Sequence, residues 1–281
     1  VDAVLDAPRT LPASPDVPVT PETVPAAPRR RRIPILRIVL ATLAVLLAAA
    51  GYGAYRVAQM FGYFLPPAQV GTLPLVEVPA PRKAAERNDV LVVLLSADGG
   101  WARLDQELAA RLSAAGYPVI GWNSLRYFMT PRNPGVAADD LSAVMRTYER
   151  KWHRSRVVLV GYSFGADVLP IVTGRLPRGD RAHVAGIVLL GLWADAEFQF
   201  KPGSWAGHVP GVREYATVPA ARRIRDVPIL CIGGDHDPRS VCSRIGTPNV
   251  TSRTIVAGHS LGSHADQVYT LMTPMLRRID G

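Results

Sequence analysis

The segment Gly161-Tyr162-Ser163-Phe164-Gly165 carries the spacing of a nucleophilic serine set between two glycines. A serine hydroxyl is a weak nucleophile at neutral pH, so it needs a base to take its proton and a carboxylate to orient that base. The pattern has chemical meaning only where a strand turns into a helix. There the turn exposes the oxygen, and the helix N-terminus aims backbone amides at a developing oxyanion. That context is present: the apolar run Val157 to Tyr162 precedes Ser163, and Ala166-Asp-Val-Leu169 follows it. The glycines admit a turn in which larger side chains would collide with neighbouring strands.

The partners are expected later in the chain, acid first and histidine second. After the apolar run Ile229 to Ile232 comes Gly233-Gly234-Asp235-His236-Asp237, which offers two carboxylates. Asp237 is the chosen acid, because the glycines let the loop turn and bring the later carboxylate under the histidine; Asp235 is the alternative. His259, in Ala257-Gly258-His259 after the last strand, is the chosen base, with His264 as its rival. An oxyanion site needs a second amide from the loop after the first central strand. Ala97 or Asp98 is expected to supply it beside the Phe164 amide, with Gly99 and Gly100 keeping the backbone accessible. Trp101 and Tyr127 are expected to wall the substrate and Arg126 to receive an anion. Phe128 and Trp193 are further aromatic candidates for an acyl groove.

A metal hydrolase built on Asp235, His236, Asp237 and His259 is the weaker reading. The chain has no His-Glu-x-x-His motif, and that chemistry would leave Ser163 without a purpose. No metal or organic cofactor is expected. The two cysteines, Cys231 and Cys242, flank the acid loop. In an oxidising compartment they are expected to form a bridge that pins it, the other reading being a buried thiol and an exposed one.

These residues need a scaffold. Strands are expected at Val90–Ser96, Pro118–Trp122, Val157–Tyr162, Val184–Gly191, Val227–Gly233 and Ser252–Val256, with helices at Leu104–Ala115, Ala137–Trp152, Ser163–Gly174 and Ala265–Arg278. Near-continuous apolar strands alternating with helices imply a mostly parallel sheet covered on both faces. The Trp-, Gly- and Pro-rich segment 193–214 is the expected cap.

The 281 residues are 48% hydrophobic, enough for a sizeable core, and carry a formal net charge of +9. From residue 67 onward there are 25 basic and 19 acidic residues, a mild excess, so no nucleic-acid partner is expected. Residues 1–32, with seven prolines between Pro8 and Pro28, are expected to be a disordered tail. Residues 33–58 are expected to form a membrane helix, since Ile38 to Tyr55 holds eighteen consecutive residues without formal charge. Arg29 to Arg32 precede it, which places the tail in the cytoplasm and the rest outside. A retained anchor is favoured over a cleaved signal because the apolar stretch is long and the Pro-rich tail is unusual for an export signal. Residues 59–88 are expected to be a linker, with an entry strand near Thr72–Val78, and residues 89–281 the folded domain.

Three strings, Leu94-Leu-Ser-Ala-Asp-Gly-Gly-Trp101, Gly121-Trp-Asn-Ser-Leu-Arg-Tyr-Phe128 and Val160-Gly-Tyr-Ser-Phe-Gly-Ala-Asp-Val-Leu-Pro170, resemble the bacterial virulence family that includes VirJ and AcvB. Gly234-x-x-Asp237 followed by Cys242 matches as well. The resemblance implies an α/β-hydrolase fold and a periplasmic domain, which the helix expected at residues 33–58 would anchor to the inner membrane. For AcvB-like members it implies hydrolysis of aminoacyl esters of phosphatidylglycerol, such as the lysyl ester, a membrane phospholipid substrate. For VirJ-like members it implies type IV secretion proteins as partners, and the alternative function is a non-catalytic envelope module that holds them. The chain departs from the family's His-His-Phe, which stands here as His259-Ser260-Leu261. A single anchor is also expected here, where the family's best-known members carry a cleaved signal or an extra N-terminal domain.

Overall fold

A computed structural model describes residues 35–60, 70–85, 88–200 and 213–281. The expected tail, residues 61–69 of the expected linker and most of the expected cap lie outside these.

Helix α1 (Ile35–Met60) is long and apolar enough to cross a membrane, and all its side chains from 38 to 55 are exposed. Eighteen residues at about 1.5 Å each span roughly 27 Å, close to a hydrocarbon layer.

The following elements are β1 (Leu75–Val78), α2 (Arg82–Ala85), β2 (Val90–Leu95), α3 (Arg103–Ala114), β3 (Val119–Trp122), α4 (Ser124–Phe128), α5 (Pro134–Trp152) and β4 (Arg156–Tyr162). Then come α6 (Phe164–Thr173), α7 (Arg178–Arg181), β5 (Val184–Leu190), β6 (Asp195–Glu197), β7 (Glu214–Ala216), α8 (Thr217–Arg223), β8 (Ile229–Gly234), β9 (Val250–Ile255) and α9 (Ala265–Asp280). Seven strands form one sheet in the order β1-β3-β2-β4-β5-β8-β9, parallel except for β1, which pairs antiparallel with β3. β1 is the expected entry strand. Leu75 and Val76 are buried in the core, so the folded domain begins ahead of residue 89.

Strand composition follows from burial on both faces. Leu91, Val93, Leu95, Val157 and Leu159 pack with α5, α6 and α8, whereas Val90, Val92, Leu94, Val158 and Val160 pack with α3 and α9. Alternate residues point to opposite faces, so a doubly covered strand must be apolar throughout. The helices show the complementary stripe: Leu104, Leu108 and Leu112 on α3, and Leu141, Val144, Met145 and Tyr148 on α5, are all buried. Each fully buried leucine contributes about 1.5–3 kcal/mol relative to an exposed one. Pro134 opens α5, where its missing N–H costs nothing, and the Asn133 side chain caps it by accepting from the Gly135 amide at 2.8 Å.

Register aligns the C-terminal ends of the central strands: Leu95 faces Gly161, Tyr162 faces Leu190, and Leu190 faces Ile232. The loops after β2, β4, β5 and β8 therefore emerge along one edge of the sheet, where ligand sites of open parallel sheets lie. One of these loops is cross-linked. Cys231 in β8 is bonded to Cys242, in a 3-10 turn, with Cα atoms 5.4 Å apart, and the bridge encloses Asp237. Closing a loop of this length is worth about 2–3 kcal/mol. Reduction should lower the midpoint of thermal unfolding by roughly 4–12 °C. An unchanged midpoint under reductant would show that the bridge constrains nothing.

Candidate active site

Ser163 sits between β4 and α6 with φ 51° and ψ −117°, a backbone conformation that a residue with a Cβ rarely adopts. Two glycines make that turn possible. A Cβ on Gly165 would stand 2.3 Å from the Leu95 carbonyl oxygen, and one on Gly161 would stand 2.5 Å from that of Gly165. The strain is held by the Ser163 amide, which donates to the Leu190 carbonyl at 2.7 Å, and by the helix that follows.

The hydroxyl is engaged as the chemistry requires. Ser163 Oγ is 2.8 Å from His259 Nε2, and His259 Nδ1 is 2.9 Å from Asp237 Oδ2. With Nδ1–H donating to the carboxylate, Nε2 is the lone-pair nitrogen that can accept the serine proton. The Asp237 side chain is 2% exposed and also accepts from Trp193 Nε1 at 3.1 Å and from the Arg239 amide at 3.0 Å. Burial pushes its carboxyl up, but the hydrogen bonds from His259, Trp193 and Arg239 outweigh it and hold the group below its usual range. It therefore stays ionised behind the imidazole.

The alternatives lie elsewhere. Asp235 accepts from the Ala257 amide at 3.0 Å and so ties down the strand end that leads to His259. His264 is the cap of α9, with its ring 3.2 Å from Ser263 Oγ. The departure at Ser260-Leu261 leaves the base intact: Leu261 is buried, and its amide donates to Tyr162 Oη at 3.3 Å.

The loop after β2 stands against the elbow, as the contact between Gly165 and the Leu95 and Ser96 carbonyls requires. Ala97 and Asp98 follow these two residues in the chain, and the Phe164 amide lies in the first turn of α6, where no intrahelical acceptor exists. The Gly100 amide is already used, donating to the Ala97 carbonyl at 3.0 Å in a turn where Gly100 has φ 77°. It is thus a turn former rather than a substrate donor, while Gly99 faces open space.

Trp101 and Tyr127 do not wall the site. Trp101 is 4% exposed, and its ring covers Gly121 so closely that a Cβ there would meet it at 2.3 Å. Tyr127 is 1% exposed, edge-on to Trp122 and Phe128, with its hydroxyl donating to Asp140 at 2.5 Å. Both aromatics are core because their rings fill the space between sheet and helices. Arg126 is exposed on α4. Phe128 is also buried, and it links Phe164 and Phe198 at ring-centroid distances of 5.0 and 5.8 Å.

Trp193 does more than line a groove. Besides its bond to Asp237, its ring lies 4.1 Å from that of His259 at 37°, and Arg239 Cζ lies 3.5 Å from its centroid on the cation–π side. Its amide donates at 2.8 Å to Asp167, whose carboxyl is driven well above the usual range by burial. Asp167 and Arg239 carried no sequence signal of this, because each acts through a contact made across the fold.

The domain is similar in structure to several solved proteins. These include MenH from S. aureus (TM-score 0.53, 16% identity, 73% of this chain and 98% of that one) and the enol-lactonase from Burkholderia xenovorans LB400 (0.53, 16%, 75% and 100%). Proline iminopeptidase from Mycobacterium smegmatis gives 0.53, 12%, 77% and 97%. At such identities the likeness is of fold, and the fold is that of the α/β hydrolases. Comparison with curated proteins finds no match. The model of the family described as "Bacterial virulence protein (VirJ)" matches residues 89–279, which hold every member of the triad, and the chain belongs to that family.

Proposed function

We propose that this serine hydrolase cleaves the aminoacyl ester of an aminoacylated phosphatidylglycerol at the outer face of the inner membrane. The observation that carries the hydrolase chemistry is the 2.8 Å contact between Ser163 Oγ and His259 Nε2, backed by Asp237. His259 takes the serine proton as Oγ attacks the ester carbonyl. The amides of Phe164 and of Ala97 or Asp98 hold the resulting oxyanion. Collapse breaks the bond to the lipid glycerol oxygen, which leaves with the proton from His259, and the amino acid stays on Ser163. Water, deprotonated by His259, attacks the acyl-enzyme and releases the amino acid, restoring the serine.

The choice of ester is supported by membership of the VirJ family together with the resemblance to AcvB-like proteins. It is supported too by an apolar helix of membrane-spanning length on the same chain. The tether would hold the domain at the bilayer surface, and the arginines before it favour a cytoplasmic N-terminus. Docking of secretion-system proteins is a companion proposal drawn from VirJ-like members, and it would not depend on Ser163.

The test offers the purified full chain lysyl-phosphatidylglycerol and plain phosphatidylglycerol and resolves the products by mass. Free lysine and intact phosphatidylglycerol are expected from the first and no change in the second. Release of fatty acid from either would assign phospholipase action instead.

A further inference from the structure

A cavity of about 370 Å³ is lined by residues that include Trp193, Asp195, Pro238, Arg239, Ser240 and Arg244, two of which, Trp193 and Arg239, hydrogen-bond to the triad acid. A second, of about 410 Å³, shares Asp195 and Arg244 with it and adds Arg222. The first holds two guanidinium groups against one carboxylate. Among the described residues, neither Arg239 nor Arg244 has an acidic side chain within ion-pair distance, although ion pairs elsewhere occupy Arg103, Arg111, Arg146 and Arg181.

Both cations stand on anchored backbone. Arg239 Cζ sits 3.5 Å over the Trp193 ring centroid, and the Arg239 amide is tied to Asp237. Arg244 follows bridged Cys242, and Arg222 donates to the Arg244 and Ile245 carbonyls at 2.7 and 2.8 Å. Arg222 thus fixes the turn that presents Arg244. Planar guanidinium forks held in a concave wall are suited to an anion with several acceptor oxygens, and phosphate is the group they match in pairs. The groove borders the catalytic centre through Trp193, since the indole under Arg239 has its ring centroid 4.1 Å from that of His259.

Resting on the esterase reading above, we propose that this groove binds a phosphate-type anion, supplied by the phosphodiester of the lipid substrate. The phosphodiester of an aminoacylated phosphatidylglycerol stands a few bonds from the acylated oxygen, so a lipid with its carbonyl on Ser163 would place its phosphate on this flank of the triad. The groove then discriminates an anionic lipid ester from a neutral ester carrying the same acyl group.

The test is calorimetric titration of the full chain in detergent with glycerophosphoglycerol, the headgroup without its fatty chains, and separately with inorganic phosphate. The wild type, Arg244→Glu and Arg244→Lys are compared, with thermal unfolding run on each to confirm the fold. Glycerophosphoglycerol should bind the wild type and lose at least about tenfold in affinity in Arg244→Glu, a change of about 1.4 kcal/mol, with Arg244→Lys recovering part of it. Loss confined to inorganic phosphate would uphold the anion site and assign free phosphate as its ligand. Absence of binding to the wild type, or equal affinity in Arg244→Glu, would overturn it. The titration reads binding without turnover, so its failure leaves the esterase reading standing, and inactivity toward esters leaves the groove result standing.

Discussion

Ser163→Ala should lower ester hydrolysis by about 10⁴- to 10⁶-fold while leaving the unfolding midpoint within a degree or two of the wild type. The size follows from the unit the residue belongs to: with the nucleophile gone, His259 and Asp237 have no proton to move, and only binding and the oxyanion amides continue to act. Stability should barely change, because alanine keeps the Cβ and the backbone remains at φ 51°. Glycine is the informative comparison. Ser163→Gly should be equally inactive yet more stable, by about 1 kcal/mol, since it removes a Cβ from a sparsely populated region of backbone space. Activity assayed with a soluble chromogenic ester and stability followed by chemical unfolding test both halves. Turnover in Ser163→Ala within tenfold of the wild type would remove the residue from the chemistry.

Asp237→Asn should cost about 10⁴-fold in kcat at neutral pH with little change in KM. The carboxylate accepts from three donors, His259 Nδ1, Trp193 Nε1 and the Arg239 amide. An amide in its place must turn an NH₂ toward one of them. If it faces Nδ1, the imidazole moves its proton to Nε2 and presents N–H to Ser163, where a lone pair is required. Stability carries a separate signature. The folded-state pKa of Asp237 is lowered, so its contribution is fully present above the unfolded value of about 3.9 and is lost as pH falls through the folded value. The stability gap between wild type and Asp237→Asn should therefore narrow below about pH 4. A gap that widened in acid would show that the carboxylate is protonated in the native protein.

The triad was readable because parallel sheets place the ends of successive strands along one edge. A serine after the third expected strand, an acid after the next-to-last and a histidine after the last had to converge. The choice of Asp237 over Asp235 followed from the Gly-Gly turn, and it holds because Asp235 is bonded to the Ala257 amide. What chain order could not convey was which aromatics are buried. Trp101 and Tyr127 have the same composition signal as a substrate wall, and only the ring of Trp101 over Gly121 and the Tyr127 hydroxyl on Asp140 tell them apart from one. Trp193 was visible as an aromatic at a strand end, but its hydrogen bond to Asp237 joins residues 44 positions apart. The short elements β6, β7, α7 and α8 escaped the reading because a few residues carry too little periodicity to register.

The measurement that bears most directly on Ser163 as the nucleophile is titration of the purified protein with a fluorophosphonate, followed by peptide mapping and assay of residual ester hydrolysis. Activity should fall in proportion to one adduct per chain, located on Ser163, and neither Ser163→Ala nor His259→Ala should be modified there at a comparable rate. Ester hydrolysis that persists in protein fully modified at Ser163, or that disappears with the adduct on another residue, would contradict the account.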